Sequence, residues 1–91
     1  LGNNGAWNQT TQGTLRRGAR AIGTYLSQDT DYAKIMEGMG GHSERVTDPE
    51  QIRPALERAF ASGKAALLDI VTDQNVSYGN MGGRSRQTRQ Y

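Results

Sequence analysis

With 91 residues, 12 of them glycine and only 34% of them hydrophobic, the chain has little material for an independent core. Backbone ordering costs about 1–2 kcal/mol per residue, which burial in so small a unit barely offsets, so the chain is expected to pack against other protein or to be rich in loops. The net charge of +2 is small, the lack of cysteine excludes disulfides and thiolate metal sites, and no apolar run approaches the roughly 20 residues of a membrane helix. A soluble, cytoplasmic protein with no membrane partner is therefore expected.

In chain order, Leu1 and Gly2 read as the end of a strand whose body lies upstream. Asn3, Asn4, Gly5 and Ala6 then form a tight loop, because Asn and Gly tolerate positive φ and Asn bonds its own backbone. Such a loop exposes amide and carbonyl oxygens together, the donor set of a hard cation that carries phosphate. From Asn8 to Gly23 the sequence is polar and without a sustained period, consistent with a short helix or an ordered loop.

Asp29 or Thr30 is placed to cap a helix that starts at Asp31. Tyr32, Ile35, Met36 and Met39 form one apolar stripe on it, with the two methionines as core filler, and Gly40-Gly41 ends it. His42 to Val46 reads as a strand, with His42 at its start in a structural role. Thr47 and Glu50 have capping-box spacing for a second helix, whose stripe is Ile52, Ala55, Leu56, Ala59 and Phe60. Pro54 conflicts with that helix, since it lies past the first turn counted from Thr47.

Ala65 to Val71 is nearly continuous apolar sequence, as in a strand covered on both faces. Asp69 within it is unexpected, and a hydrogen bond to a helix end or loop suits it better than catalysis. Helix, strand, helix, strand predicts βαβ crossovers and an α/β fold with a parallel sheet. Residues 1–73 are expected to form the domain portion and residues 74–91 an extended tail.

The succession Asn3-Asn4-Gly5-Ala6-Trp7, Asp31-Tyr32-Ala33-Lys34-Ile35, Gly40-Gly41-His42, Arg45 to Glu50, Arg53-Pro54-Ala55-Leu56 and Leu68-Asp69-Ile70-Val71 carries a resemblance. It resembles the C-terminal end of thiamine-diphosphate-dependent enzymes of the acetolactate synthase type, a group that includes oxalyl-CoA decarboxylase and 2-hydroxyacyl-CoA lyase. The resemblance runs from Asn3 to about Asp73. It implies that the chain is the C-terminal portion of a thiamine-diphosphate-binding domain. The family's motif opens with Gly-Asp-Gly, which is not found here, so a piece of a longer or split polypeptide is expected. The implied partners are the upstream half bearing Gly-Asp-Gly, a pyrimidine-binding domain, and further copies in a homodimer or homotetramer.

Carried over residue by residue, the resemblance implies Mg²⁺ held by Asn4 Oδ1 and the Ala6 carbonyl, with thiamine diphosphate beside Asn4, Gly5, Ala6, Trp7 and Asn8. No catalytic residue is identifiable; the family's proton-transferring Glu lies in another domain. The reaction implied makes or breaks a C–C bond next to a carbonyl. The Asn-Asn-Gly-Ala-Trp run favours a 2-keto acid substrate, and the arginine-rich tail an acyl-CoA. In the tail, Tyr78, Met81, Arg84 and Arg86 are candidates for an active-site lid. The alternatives are an inactive family member and a non-enzymatic module whose basic ends, Arg16, Arg17 and Arg20 with Arg84, Arg86 and Arg89, hold nucleic acid, although no nucleic-acid motif accompanies them.

Overall fold

A computed structural model describes residues 1–76. The candidate lid residues Tyr78, Met81, Arg84 and Arg86 lie outside the described residues. The chain divides into two compact units. Of the described residues, the first comprises Leu1–Asn4 and Ser27–Thr72, and the second comprises Gly5–Leu26 and residues 73–76.

The first unit is the expected α/β structure with a parallel sheet. Strand β1 (Gly2–Asn3), helix α2 (Tyr32–Gly38), strand β2 (His42–Val46), helix α3 (Ile52–Ala61) and strand β3 (Ala66–Val71) follow one another, and the strands lie in the order β1-β3-β2. Both pairings are parallel, with Gly2 opposite Ile70 and Val46 opposite the same residue from the other side. The chain steps outward from β1 to β2 and then back to β3. Right-handed crossovers in opposite directions place their helices on opposite faces.

Side chains follow that arrangement. Val46, Ala55 and Leu68 form the buried core on one face, with Ile52, Ala59 and Ile70 packed around them. On the other face Ser43 Oγ donates to the carbonyl of Ala33, the buried residue of α2. Ser43, Arg45, Leu67 and Asp69 share this second face because alternate strand residues point the same way.

The helix starts differ from expectation by small shifts. Asp31, not Asp29 or Thr30, caps α2, its Oδ1 accepting from the Lys34 amide at 3.0 Å. Asp48, not Thr47, accepts from the Glu50 amide at 3.0 Å and begins a short 3₁₀ turn over Pro49–Gln51. Helix α3 therefore starts at Ile52, which puts Pro54 in its first turn, where no intrahelical partner awaits an N–H. The conflict seen in the sequence disappears because the helix begins later.

The apolar stripes are corrected more strongly. Ile35 and Met39 of α2 and Leu56 and Phe60 of α3 are exposed, Phe60 at 87%, while the small residues Ala33 and Ala55 are buried. Met39 is thus not core filler, and Met36 is only half-buried. Alanines let each helix lie close on the sheet, and the larger residues flank the contact. Leu1, Leu56, Phe60, Leu68 and Ile70 line an open groove of about 510 Å³ on the α3 side. Gly40, at φ +86°, takes the left-handed turn that ends α2. Gly41 is required for space, since a Cβ there would lie 2.8 Å from the Ala65 carbonyl oxygen.

At the amino end of β2, His42 Nε2 lies 3.0 Å from Glu44 Oε2, and Arg58 makes a forked contact with Glu44, its Nη2 2.8 Å from Oε1. The Arg58 guanidinium holds the Glu44 carboxyl below its usual range, opposed by partial burial and helped by His42. A depressed carboxyl stabilises the fold above its unfolded pKa and loses that contribution as pH falls through the folded value. Arg58→Ala is therefore expected to lower the urea midpoint at neutral pH, and the gap from wild type should close below the carboxylate range. A gap that persists in acid would place the role of Arg58 in packing.

The second unit contains helix α1 (Asn8–Arg16), so the first part of the polar stretch is the short helix, one of the two forms expected for it. The helix has no side-chain cap at Trp7; instead Thr11, fully buried, bonds the Trp7 carbonyl through both its amide and its Oγ1.

Candidate functional site

The Asn3-Asn4-Gly5-Ala6 sequence begins where β1 ends, at the carboxyl edge of the parallel sheet. That edge is where ligands gather in open α/β sheets. His42 lies at the opposite, amino end of its strand.

In the first unit, Asn3 is buried, and its carbonyl accepts from the Thr72 amide at 2.8 Å and from Gln28 Nε2 at 3.4 Å. Gln28 Nε2 also lies 3.3 Å from the Thr72 carbonyl. Gln28 is held in turn by Arg45, whose Nη2 donates to the Gln28 carbonyl and whose Nη1 donates to that of Thr30 at 3.2 Å. Behind Arg45 lies Asp69, opposite it in register and 0% exposed, with Oδ2 3.6 Å from Arg45 Nη1. That distance is an ion pair without a hydrogen bond, and neither carboxyl oxygen has a hydrogen-bond partner among the described residues. The expected bond from Asp69 to a helix end or loop is replaced by this cross-strand charge pair. Sequence reasoning missed Arg45 and Gln28; their only signal was a buried acid two positions before a strand's end.

In the second unit, Gly5 is buried at φ +67°, a conformation that suits glycine. Its carbonyl accepts from the Leu26 amide at 2.6 Å and from Gln74 Nε2 at 3.3 Å. Ala6 pairs with Tyr25 in an isolated antiparallel bridge whose two bonds are Trp7 N to the Thr24 carbonyl and Leu26 N to the Gly5 carbonyl. Both bonds come from the neighbours of Ala6, so Ala6 and Tyr25 form the non-hydrogen-bonded kind of pair. In such a pair the N–H and C=O of Ala6 are directed away from the Thr24–Leu26 segment.

Trp7 is 67% exposed. Asn8 is buried: its Nδ2 donates to the Val76 carbonyl at 3.0 Å, and its Oδ1 has no partner among the described residues. Gln12 Nε2 contacts the Gln74 carbonyl at 3.4 Å.

A match to a family model accompanies this geometry. Residues 1–70 match the thiamine pyrophosphate enzyme C-terminal TPP binding domain. The chain belongs to the thiamine-diphosphate-dependent enzyme family. It is 38% identical over 78 residues, 86% of its length, to a probable acetolactate synthase of Mycobacterium bovis, and equally to the acetolactate synthase large subunit IlvG of Mycobacterium tuberculosis. A probable acetolactate synthase large subunit of Methanocaldococcus jannaschii is 34% identical over 59 residues, covering 65% of this chain and 10% of that protein. The chain spans 14% of the length of each mycobacterial relative. Thiamine diphosphate is the cofactor of this thiamine-diphosphate domain, and Mg²⁺ is its usual companion in the family.

The residues present fit that pair. A hard divalent ion takes oxygen ligands, and the motif supplies an amide side chain at Asn4 and main-chain carbonyls on a glycine-permitted turn. Among the described residues no three His, Cys, Asp or Glu side chains converge. None of the helices among the described residues is long and apolar enough to cross a membrane.

Proposed function

We propose that this chain anchors Mg²⁺ and the diphosphate of thiamine diphosphate in an enzyme that forms or breaks a C–C bond next to a carbonyl. Asn4 Oδ1 and the Ala6 carbonyl would hold the metal, and Gly5, Trp7 and Asn8 would border the diphosphate. The observation that carries this reading is the place of the Asn3-Asn4-Gly5-Ala6 motif, which begins at the carboxyl end of β1 within the residues that match the thiamine pyrophosphate family model. The bound cofactor supplies the electron sink for the reaction. The protein side fixes where it sits.

The rest of the catalytic apparatus, including the Gly-Asp-Gly half, the pyrimidine-binding domain and the family's Glu, is assigned to other parts of the enzyme or to a neighbouring copy in a homodimer or homotetramer. Acetolactate synthase names on the matched relatives favour a 2-keto acid over an acyl-CoA as substrate. Steady-state assays of the intact enzyme with pyruvate and with a 2-hydroxyacyl-CoA separate the two. Turnover of pyruvate that requires both thiamine diphosphate and Mg²⁺ is expected, and turnover of the thioester alone would overturn the substrate assignment.

A further inference from the structure

The first unit carries a line of contacts that ends at the carboxyl edge of its sheet. Asp69, fully enclosed in β3, faces Arg45 of β2 at 3.6 Å. Arg45 reaches onward with both ends of its guanidinium: Nη1 donates to the Thr30 carbonyl at 3.2 Å, and Nη2 donates to the Gln28 carbonyl. Gln28 in turn places Nε2 between two strand ends, 3.4 Å from the Asn3 carbonyl of β1 and 3.3 Å from the Thr72 carbonyl just past β3. A side-chain amide has two N–H donors, enough for one to each strand. All of these residues belong to the first unit, and Asn3 is joined by its peptide bond to Asn4 of the same unit.

We propose that Arg45 and Gln28 are positioning residues for Asn4. Gln28 straps the end of β1 to the end of β3, which fixes the peptide from which the Asn4 residue departs. Its two bonds are long ones at 3.3 and 3.4 Å, so the strap needs a firm support. Arg45 supplies that support, because its planar fork holds two carbonyls of the segment before α2 at once. The enclosed Asp69 holds the fork in place by charge. Stability alone would ask only for a cation opposite Asp69; the two carbonyl bonds are what connect that cation to the edge of the sheet. Neither Arg45 nor Gln28 touches the ion. Supporting residues of this kind at metal sites weaken metal binding by about 10–100-fold when they are lost.

This role rests on the metal assignment made above, and the test separates the two. Arg45→Lys keeps a cation opposite Asp69 but has no fork to span two carbonyls. Gln28→Met keeps the length of the side chain and removes its donors. In the intact enzyme with thiamine diphosphate present, Mn²⁺ affinity is measured by electron paramagnetic resonance for wild type, Asn4→Ala and these two variants. Hydrogen exchange is measured without metal or cofactor at the Thr72 amide, which donates to the Asn3 carbonyl at 2.8 Å. Arg45→Lys and Gln28→Met are each expected to bind Mn²⁺ about tenfold more weakly and to exchange the Thr72 amide faster than wild type. Gln28→Met loses only two long bonds of a half-buried side chain, so it keeps the test in force if Arg45→Lys does not fold. Wild-type Mn²⁺ affinity in either variant, whether or not its melting temperature falls, removes that residue from the positioning role. Unchanged Mn²⁺ binding in Asn4→Ala overturns the metal assignment instead; the Thr72 amide then tests the strap by itself, and wild-type exchange in both variants overturns it.

Discussion

Asn4→Ala is expected to weaken Mg²⁺ binding by roughly 100-fold or more, since loss of a direct ligand should exceed the 10–100-fold cost of losing an outer-layer partner. Thiamine diphosphate retention should fall with it, because the ion carries the charge of the diphosphate toward an amide and a carbonyl that have none of their own. Asn4→Asp keeps an oxygen at the same reach and should retain the metal. Ala6→Ser should be close to neutral, because the donor proposed at position 6 is the main chain. Calorimetric titration of Mg²⁺ at saturating thiamine diphosphate checks all three. Equal loss at Asn4→Ala and Ala6→Ser would move the site from the proposed atoms to the side-chain surface of the loop.

Arg45→Met is expected to destabilise the fold by about 3–5 kcal/mol, the usual cost of leaving a buried charge without its partner. Asp69 is completely enclosed and meets the Arg45 guanidinium at 3.6 Å without a hydrogen bond, so the arginine is its charge partner among the described residues. For a domain whose total stability is about 5–15 kcal/mol, that loss takes away a large share of it. Asp69→Leu combined with Arg45→Met should recover most of it, since an apolar side chain at the enclosed position 69 no longer needs the partly exposed Arg45 as its partner. Urea unfolding of the four members of this cycle supplies the coupling energy. A single Arg45→Met variant as stable as wild type would mean that Asp69 draws its compensation from elsewhere.

The two variants act on the same loop from different distances. Asn4 is proposed to touch the ion, whereas Arg45 acts through the Gln28 carbonyl and so bears on the Asn3 peptide. A partly stable Arg45 variant should therefore also lose metal affinity, though less than Asn4→Ala.

Much of the first unit was legible in the chain. Val46 and the run from Ala66 to Val71 announced strands by composition, and Gly40 marked where a helix stops and takes positive φ. Burial was less legible. Periodicity identifies which face of a helix is apolar but not how much of it meets a sheet, so Met39 and Phe60 read as core and are exposed. Pro54 read as a helix breaker because the start of α3 depends on which side chain, Asp48 or Thr47, reaches the Glu50 amide. Among the site residues, Asn4, Gly5 and Ala6 are adjacent in sequence and can be read as one motif. Gln28, Arg45 and Asp69 are scattered along the chain, and no local pattern ties them together.

The amino-acid sequence by itself determined the parallel α/β character, the family and the oxygen-rich loop, because apolar runs, glycine breaks and short motifs act over a few neighbouring residues. Only the tertiary structure decided that Gln28 reaches the Asn3 carbonyl, that Asp69 faces Arg45, and that alanines rather than larger residues meet the sheet. These depend on strand register and on side chains meeting across tens of residues, and register is fixed by the whole sheet, not by any segment within it.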